Sequence, residues 1–552
     1  MGYLSSHTHS HFSSPMTNLR NILFAILILA FALRVAGVGH GLPLLVVDDE
    51  PPFVFSALKM LELKTLVLHG ENFKDILYYP PYLAYALLPF FAVLAGLLFF
   101  RFGSLELLKT YVAADPSLFF LTARIVTAAL GVLSVYLIYR FARNIWKTEA
   151  PALWAAFFTA TSLLAISLSS VARHWTAVLF LFSLVLFFLS HTAWTARKRY
   201  ALSLFVAGTS FGVVGDFTIS LLALIALWFF FCECDESRWK LLKKYWLPSA
   251  IVLGFFYKLP LWLYPIGMGF KAETILKAPY VVDVLIAPFA FGYSFFVSEP
   301  IFALAVFAGM WIALRNYKRF FCLSACFAYL YALLFLIFFR YEARFFLPLI
   351  PLFSALAGLA FSRIRMRVSI PAALLIIFLS ARLALLAWGG DTRELARAWV
   401  DGHIPEKSRI ATYGKGLRLP KTKEAFAEQA VLDASSLRSA DRADESLSES
   451  TRSARRYHAL NLYALQNDKL WSGITEYLAR NDYQFLAVSE DGGDDSRVME
   501  LKKTGDAGAL IQVFSGSYTD GVRYTDADFK GGFPALFRIR ALGPDMILYM
   551  FK

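Results

Sequence analysis

The 552-residue chain is 58% hydrophobic and 16% aromatic, with a mean hydropathy of +0.55, which excludes a soluble globular protein of this length and describes a multi-pass membrane protein. Its net charge of +13 does not point to nucleic acid. The sequence carries 31 basic and 17 acidic residues before residue 390, and 23 and 24 after it, so the excess belongs to the membrane part, where positive charge gathers in cytosolic loops.

The amino-terminal MGYLSSHTHSHF matches a myristoylation pattern and alternates His7, His9 and His11. It reads more simply as a disordered cytosolic tail over 1–20, ahead of an uncleaved signal anchor. Segments near the roughly 20 apolar residues that cross a bilayer lie at 21–42, 118–139, 151–169, 175–193, 200–214, 217–232, 246–265, 299–314, 320–339, 344–361 and 368–388. Basic clusters such as Arg140/Arg143/Lys147, Arg197/Lys198/Arg199, Arg315/Lys318/Arg319 and Arg363/Arg365/Arg367 share one side of the membrane only if those eleven segments span and 82–100 does not. The stretch 82–100 is therefore expected to be re-entrant or juxtamembrane. The same holds for 281–297, broken by Pro288 and followed by Pro300.

The fold expected is an all-α polytopic membrane domain over 21–388, of about eleven transmembrane helices plus juxtamembrane helices, with a first external loop at 43–117. A C-terminal extracytoplasmic α/β domain follows at 389–552. Composition breaks at Gly389 and Gly390; DTRELARAWV has a helical pattern, YQFLAVS and ALIQVFSG alternate like strands, and the apolar-poor 434–456 is a flexible loop. The four cysteines, Cys232, Cys234, Cys322 and Cys326, fall at cytosolic helix ends, and none lies in the exported part. No disulfide framework exists there, and small buried hydrophobes are the simpler role.

Chemistry is most concentrated where the first anchor meets the far side of the membrane, at the consecutive carboxylates Asp48, Asp49 and Glu50. Adjacent like charges at such a boundary are expensive, although solvated acids also flank membrane helices. The same face is expected to collect Arg34, Arg124, Arg173, His174, Asp216 and the run Arg340, Tyr341, Glu342, Arg344. Acids opposite arginines suit a pocket for an anionic leaving group beside a proton acceptor; they also suit ion pairs that tie helices together.

The segments LRVAGVGHGLP…VDDE, YYPPYLAYALLPF, LTARIVTAALGVLSVYLIYRFAR and FRYEARFFLPLIPL occur in this order, and DTRELARAWVDGHIPEKSRIA follows. Together they resemble the C-type (GT-C) membrane glycosyltransferases that use polyprenyl-phosphate sugars: the protein O-mannosyltransferases, the aminoarabinose transferases of lipid A and their bacterial relatives. The resemblance covers nearly the whole chain, although each motif is short. It implies Asp49 as catalytic base, with Glu50 completing the family's Asp-Glu pair and Asp48 an extra carboxylate and rival. It implies Tyr79, Pro80 and Pro81 at the approach to the lipid, Arg124 as the helix-start arginine, and Arg344 or Arg340, beside Tyr341, at the donor phosphate, with Arg124 or Arg173 assisting. Many relatives carry a second Asp where this chain has Arg173, His174 and Trp175; His174 there suits a hydrogen bond to acceptor or phosphate, or a plain interfacial belt with the Trp.

The implied reaction is an inverting transfer of sugar to an acceptor hydroxyl on a protein, glycolipid or polysaccharide, at the outer face of a bacterial or archaeal inner membrane. The lipid-linked sugar is a substrate, so no cofactor and no metal are expected, and membrane lipid rather than nucleic acid is the partner. A transporter or lipid flippase is the alternative, with the charges lining a route; an inactive membrane scaffold is a third reading.

Overall fold

The computed structural model describes residues 15–47, 49–68, 73, 79–233, 254–255, 281–338, 343–414, 417–433, 436–437, 445, 455–465, 471, 473–490, 496–506, 508–518 and 532–551. The expected span at 246–265 (254–255 apart), most of the expected loop 434–456, Cys234 and Glu342 lie outside the described residues.

The helices of the apolar body run in chain order as α1 Pro15–Val35, α2 Pro51–Leu63, α3 Tyr82–Phe102, α4 Leu105–Ala114, α5 Ser117–Trp146, α6 Glu149–Thr161, α7 Leu163–Ser169, α8 His174–Ser190, α9 Ala196–Ser210, α10 Gly215–Cys232, α11 Val281–Ser298, α12 Pro300–Asn316, α13 Lys318–Phe338, α14 Ile350–Phe361 and α15 Met366–Trp388. A 3₁₀ segment, Ala343–Leu349, leads into α14. Among the described residues, α3, α5, α15 and the segment Arg344–Phe361 are each long and apolar enough to cross a membrane, with a fifth span if the bent pair α6–α7 counts as one. This is a membrane protein.

Helix α14 is wedged between two others, and glycines permit the fit. A Cβ on Gly358 would lie 2.2 Å from the Pro151 carbonyl oxygen of α6, and one on Gly309 of α12 would lie 2.0 Å from the Leu356 carbonyl oxygen of α14. Such backbone-to-backbone approach is how helices pack where lipid removes the hydrophobic drive to associate.

Several expected boundaries are corrected. The first helix ends at Val35, not 42, because Gly37, Gly39 and Gly41 lead the chain into consecutive turns. The stretch 82–100 lies in one continuous helix of 21 residues, and 281–297, expected to be broken at Pro288, is continuous through it. An interior proline removes one helical hydrogen bond, which apolar helices with packed neighbours tolerate. The true break falls at Ser298 and Glu299, where Pro300 opens α12 at a position that needs no N–H.

The expected span 151–169 is two helices meeting at 54°, and the break is capped from both sides. The last carbonyls of α6 accept from buried side chains: Thr159 and Ala160 from the Arg34 guanidinium (3.1 and 3.0 Å) and Thr161 from the Ser380 hydroxyl (2.7 Å). Across the bend, Glu299 Oε1 accepts from the Ser162 hydroxyl (2.5 Å) and the Leu164 amide (3.0 Å), while Ser162 Oγ accepts from Ala165 N–H (3.2 Å). A guanidinium thus sits at the carbonyl end of α6 and a carboxyl group at the amide end of α7.

Beyond α15 come α16 Thr392–His403, β1 Arg409–Tyr413, α17 Lys423–Leu432, β2 His458–Asn461, α18 Ile474–Arg480, β3 Phe485–Glu490, α19 Ser496–Asp506, β4 Ala509–Phe514, α20 Gly532–Arg538 and β5 Asp545–Met550. The sheet order is β2-β1-β3-β5-β4, parallel across the first three strands and antiparallel across the last two pairings. Both strand-like runs of the sequence are strands, and the DTRELARAWV run is α16. Leu536, Ile539 and Leu542 of this domain pack in one apolar cluster with Leu33, Ile166 and Leu383 of the body, and the Arg382 guanidinium donates to the Ile539 carbonyl (2.9 Å).

Candidate active site

The loop after α1 folds back under the body before α2 begins. Leu44, Val46 and Val47 bury themselves with Val171, and Glu50, with Pro51 and Pro52 at the first helical positions, opens α2. This geometry sends the neighbouring carboxylates Asp49 and Glu50 to different partners.

Glu50 is fully buried and meets fully buried Arg124 of α5 in a two-pronged pair: Nε to Oε1 at 2.8 Å and Nη2 to Oε2 at 2.6 Å. The Ala172 amide also donates to Oε1 (2.5 Å). The other Arg124 nitrogen, Nη1, donates to the carbonyls of Val38 and His40, both at 2.7 Å. Glu50 and Arg124 thus use their polar atoms on each other and on the loop, not on open space. Buried charges are tolerated on these terms.

Asp49 pairs with Arg173, just before α8. The arginine side chain is 4% exposed but the aspartate 24%, so Asp49 is the carboxylate of the two that keeps an open side.

Aromatic rings cluster at the start of α8, next in the chain to Arg173. His174, buried as the first residue of α8, lies with its ring centroid 5.0 Å from Tyr79, 5.6 Å from Phe53 and 4.5 Å from Trp175, and Tyr79 stacks on Phe53 at 5.3 Å. The Arg344 guanidinium lies over the rings of Trp175 and Phe345, 5.4 Å from each centroid. Pro80 is half-buried and Pro81 buried. Pro81 opens α3, whose first amide, of Tyr82, donates to the Gly212 carbonyl (2.9 Å) and so ties the segment to the turn after α9.

The structure therefore brings together Asp49, Glu50, Tyr79, Arg124, Arg173 and His174, with Arg344 one ring farther on. Asp48, Arg340 and Tyr341 lie outside the described residues. Arg34, grouped with this face from the sequence, instead caps the α6 carbonyls, because a turn of helix carries it below the loop. Among the described residues no cluster of three or more His, Cys, Asp or Glu side chains could hold a metal ion.

Sequence reasoning missed His40, whose Nε2 lies 3.3 Å from Asp391 Oδ2 with both side chains buried. It missed Asp391, the N-cap of α16, although a helical run directly after Asp was a visible signal. It also missed Glu299, which no spacing marks because its partners lie more than a hundred residues away.

No protein-family description matches the chain, and no curated protein does. Among solved structures it is similar to ArnT from Cupriavidus metallidurans bound to undecaprenyl phosphate, with 11% identity, TM-score 0.47, and coverage of 96% of this chain and 98% of that one. It is also similar to the archaeal oligosaccharyltransferase AglB from Archaeoglobus fulgidus in complex with an inhibitory peptide and a dolichol-phosphate (13%, 0.45, 92% and 74%). A third is the arabinofuranosyltransferase AftD from mycobacteria (16%, 0.41, 97% and 40%). Likeness at this level does not decide chemistry, which rests on the side chains.

Proposed function

We propose that this membrane protein is a glycosyltransferase that moves a sugar from a polyprenyl-phosphate donor to an acceptor hydroxyl, with Asp49 as general base. The observation that carries the reading is the contrast at the loop: Glu50 is sealed by Arg124, while Asp49 stays partly open beside Arg173. The motif order of the sequence supplies the donor class.

The acceptor oxygen loses its proton to an Asp49 carboxylate oxygen as it bonds to the anomeric carbon. The bond from that carbon to the phosphate oxygen breaks on the opposite face, its electrons leaving with the phosphate, and the configuration inverts. Arg173 holds Asp49 until the donor arrives, and Arg344 meets the phosphate charge, with Arg173 free to share it. Glu50 and Arg124 position the loop without touching substrate. Tyr79, His174 and Trp175 form an apolar, aromatic wall against which a sugar ring can stack, Pro80 and Pro81 fix the segment that carries Tyr79, and the exposed apolar faces of the long helices suit the prenyl tail. Arg340, Tyr341 and Asp48 are kept as proposed site residues on sequence grounds alone.

The C-terminal domain is proposed to lie outside the cytosol of an inner membrane, where it meets a protein, glycolipid or polysaccharide acceptor. The leaving phosphate already carries its charge partners in arginine, so the reaction is proposed to need no metal or cofactor.

The test is transfer from a panel of radiolabelled polyprenyl-phosphate sugars by the purified protein in lipid, wild type against Asp49→Asn. Turnover by the wild type that is lost in the variant supports the reading. No release from any donor by folded protein overturns it in favour of a transporter.

A further inference from the structure

The loop that carries Asp49 is gripped from two directions. On one side, Arg124 of α5 holds the His40 carbonyl and, through the same guanidinium, Glu50, the residue next to Asp49. On the other side stands the C-terminal domain. Asp391, wholly buried, takes two bonds from Arg393 (2.7 and 2.6 Å) and faces the His40 imidazole at 3.3 Å. One turn along α16, Glu394 accepts the backbone N–H of Gly41. Gly41 has φ +68, and a Cβ there would meet the Val46 side chain at 1.9 Å, so the backbone can thread this point only as glycine.

The first turn of the C-terminal domain thus meets His40 and Gly41 through Asp391 and Glu394, and Arg124 holds the same loop at the His40 carbonyl and at Glu50, the chain neighbour of Asp49. We propose that Asp391 and His40 are positioning residues: docking of the C-terminal domain fixes the loop, and the loop fixes Asp49. Resting as it does on the reading of Asp49 as base, the proposal assigns the domain a second task, setting the geometry of the reaction. Two features argue for a coupling rather than generic packing. The contact is polar and buried beside a largely apolar boundary, and it grips two consecutive loop residues, one by its side chain and the other by its amide.

The experiment uses the full chain in lipid nanodiscs with His40→Ala, His40→Gln, Asp391→Asn and, as a control inside the same domain, Glu428→Gln. Amide hydrogen exchange of residues 36–50 and of strand β3 is followed by mass spectrometry, beside turnover of the polyprenyl-phosphate donor panel. In His40→Ala and Asp391→Asn, exchange at 36–50 is expected to rise about tenfold with β3 unchanged, a local opening rather than a global one. Their kcat is expected to fall about 10- to 100-fold, the scale of a small misplacement of a reacting group, with the donor KM changed less than about threefold. His40→Gln, which can still donate toward Asp391, recovers part of both, and Glu428→Gln leaves both at wild type.

Unchanged exchange at 36–50 in His40→Ala overturns the proposal, as does exchange that rises equally in β3. His40→Ala keeps the test open if Asp391→Asn, which strands buried Arg393, fails to fold. A wild type that turns over no donor overturns the proposed reaction instead, and the exchange measurement still decides whether the C-terminal domain holds the loop.

Discussion

Two groups of charged side chains are buried in the apolar body, and they are built on opposite principles. At the α6–α7 bend, Arg34 and Glu299 each neutralise a helix end, and the described contacts use their polar atoms on backbone and serine. At the loop after α1, charge is answered by charge, Glu50 by Arg124 and Asp49 by Arg173, and the second pair opens to the exterior. Burial of charge is therefore no mark of a site by itself. A carboxylate becomes a candidate reagent when it stays reachable, and of the described carboxylates in these two groups Asp49 is partly exposed while Glu50 and Glu299 are buried.

The sharpest way to break the comparison is to remove each carboxylate in turn. Asp49→Asn should lower kcat by about 10²- to 10⁴-fold, the range of general-base catalysis, while thermal melting falls less than in Glu50→Gln, because Asp49 is 24% exposed and both members of the Glu50–Arg124 pair are fully buried. Glu50→Gln should do the reverse in kind. It strands a buried arginine, so stability should fall by about 3–5 kcal/mol, read as loss of folded protein on heating in detergent. Should Glu50→Gln fold as well as wild type yet lose turnover as Asp49→Asn does, the division of labour between the two would be wrong.

At the helix bend, Glu299→Ala leaves the Ser162 hydroxyl and the Leu164 amide unsatisfied and should cost about 1–3 kcal/mol of stability. The folded fraction should turn over at the wild-type rate; a fall in kcat at full folding would move this region into the reaction.

A smaller effect separates body from domain by pH. In the C-terminal domain burial works against the Glu428 charge, but donors from His458, Tyr477 and Tyr483 and the charge of Arg409 outweigh it and hold the carboxyl at about 2. A carboxyl held below its unfolded value of about 4.3 contributes stability that is full above that value and is lost as pH falls through it toward about 2. Melting of the wild type should therefore drop more steeply than that of Glu428→Gln across this acid window and run parallel to it at neutral pH; equal slopes would refute the assignment. The smallest expected effect is none: a chelator should leave turnover unchanged, and loss restored by a divalent cation would show that arginine alone does not carry the phosphate.

Much of the candidate site was legible in the sequence because its parts are local. The Asp-Asp-Glu run, the Pro-Pro step before α3 and the Arg-His-Trp run at α8 each announce themselves within a few residues. The resemblance singled out Asp49, but which partner each carboxylate meets was not legible. Asp49 and Glu50 are chemically near-equivalent neighbours, and only the arrival of Arg124 from α5 and Arg173 from the start of α8 tells them apart.

The sequence by itself determined the apolar character of the body, the position of most helices and the strands β3 and β4, since hydrophobic content and periodicity are properties of a few adjacent residues. It also supplied the carboxylates and arginines. Tertiary structure alone decided that Pro288 stays inside a helix, that the chain bends at Ser162, that Arg34 serves a helix end, and that His40 meets Asp391. Each depends on partners dozens to hundreds of residues away, because the free energy of a buried polar group is set by whatever satisfies it in space.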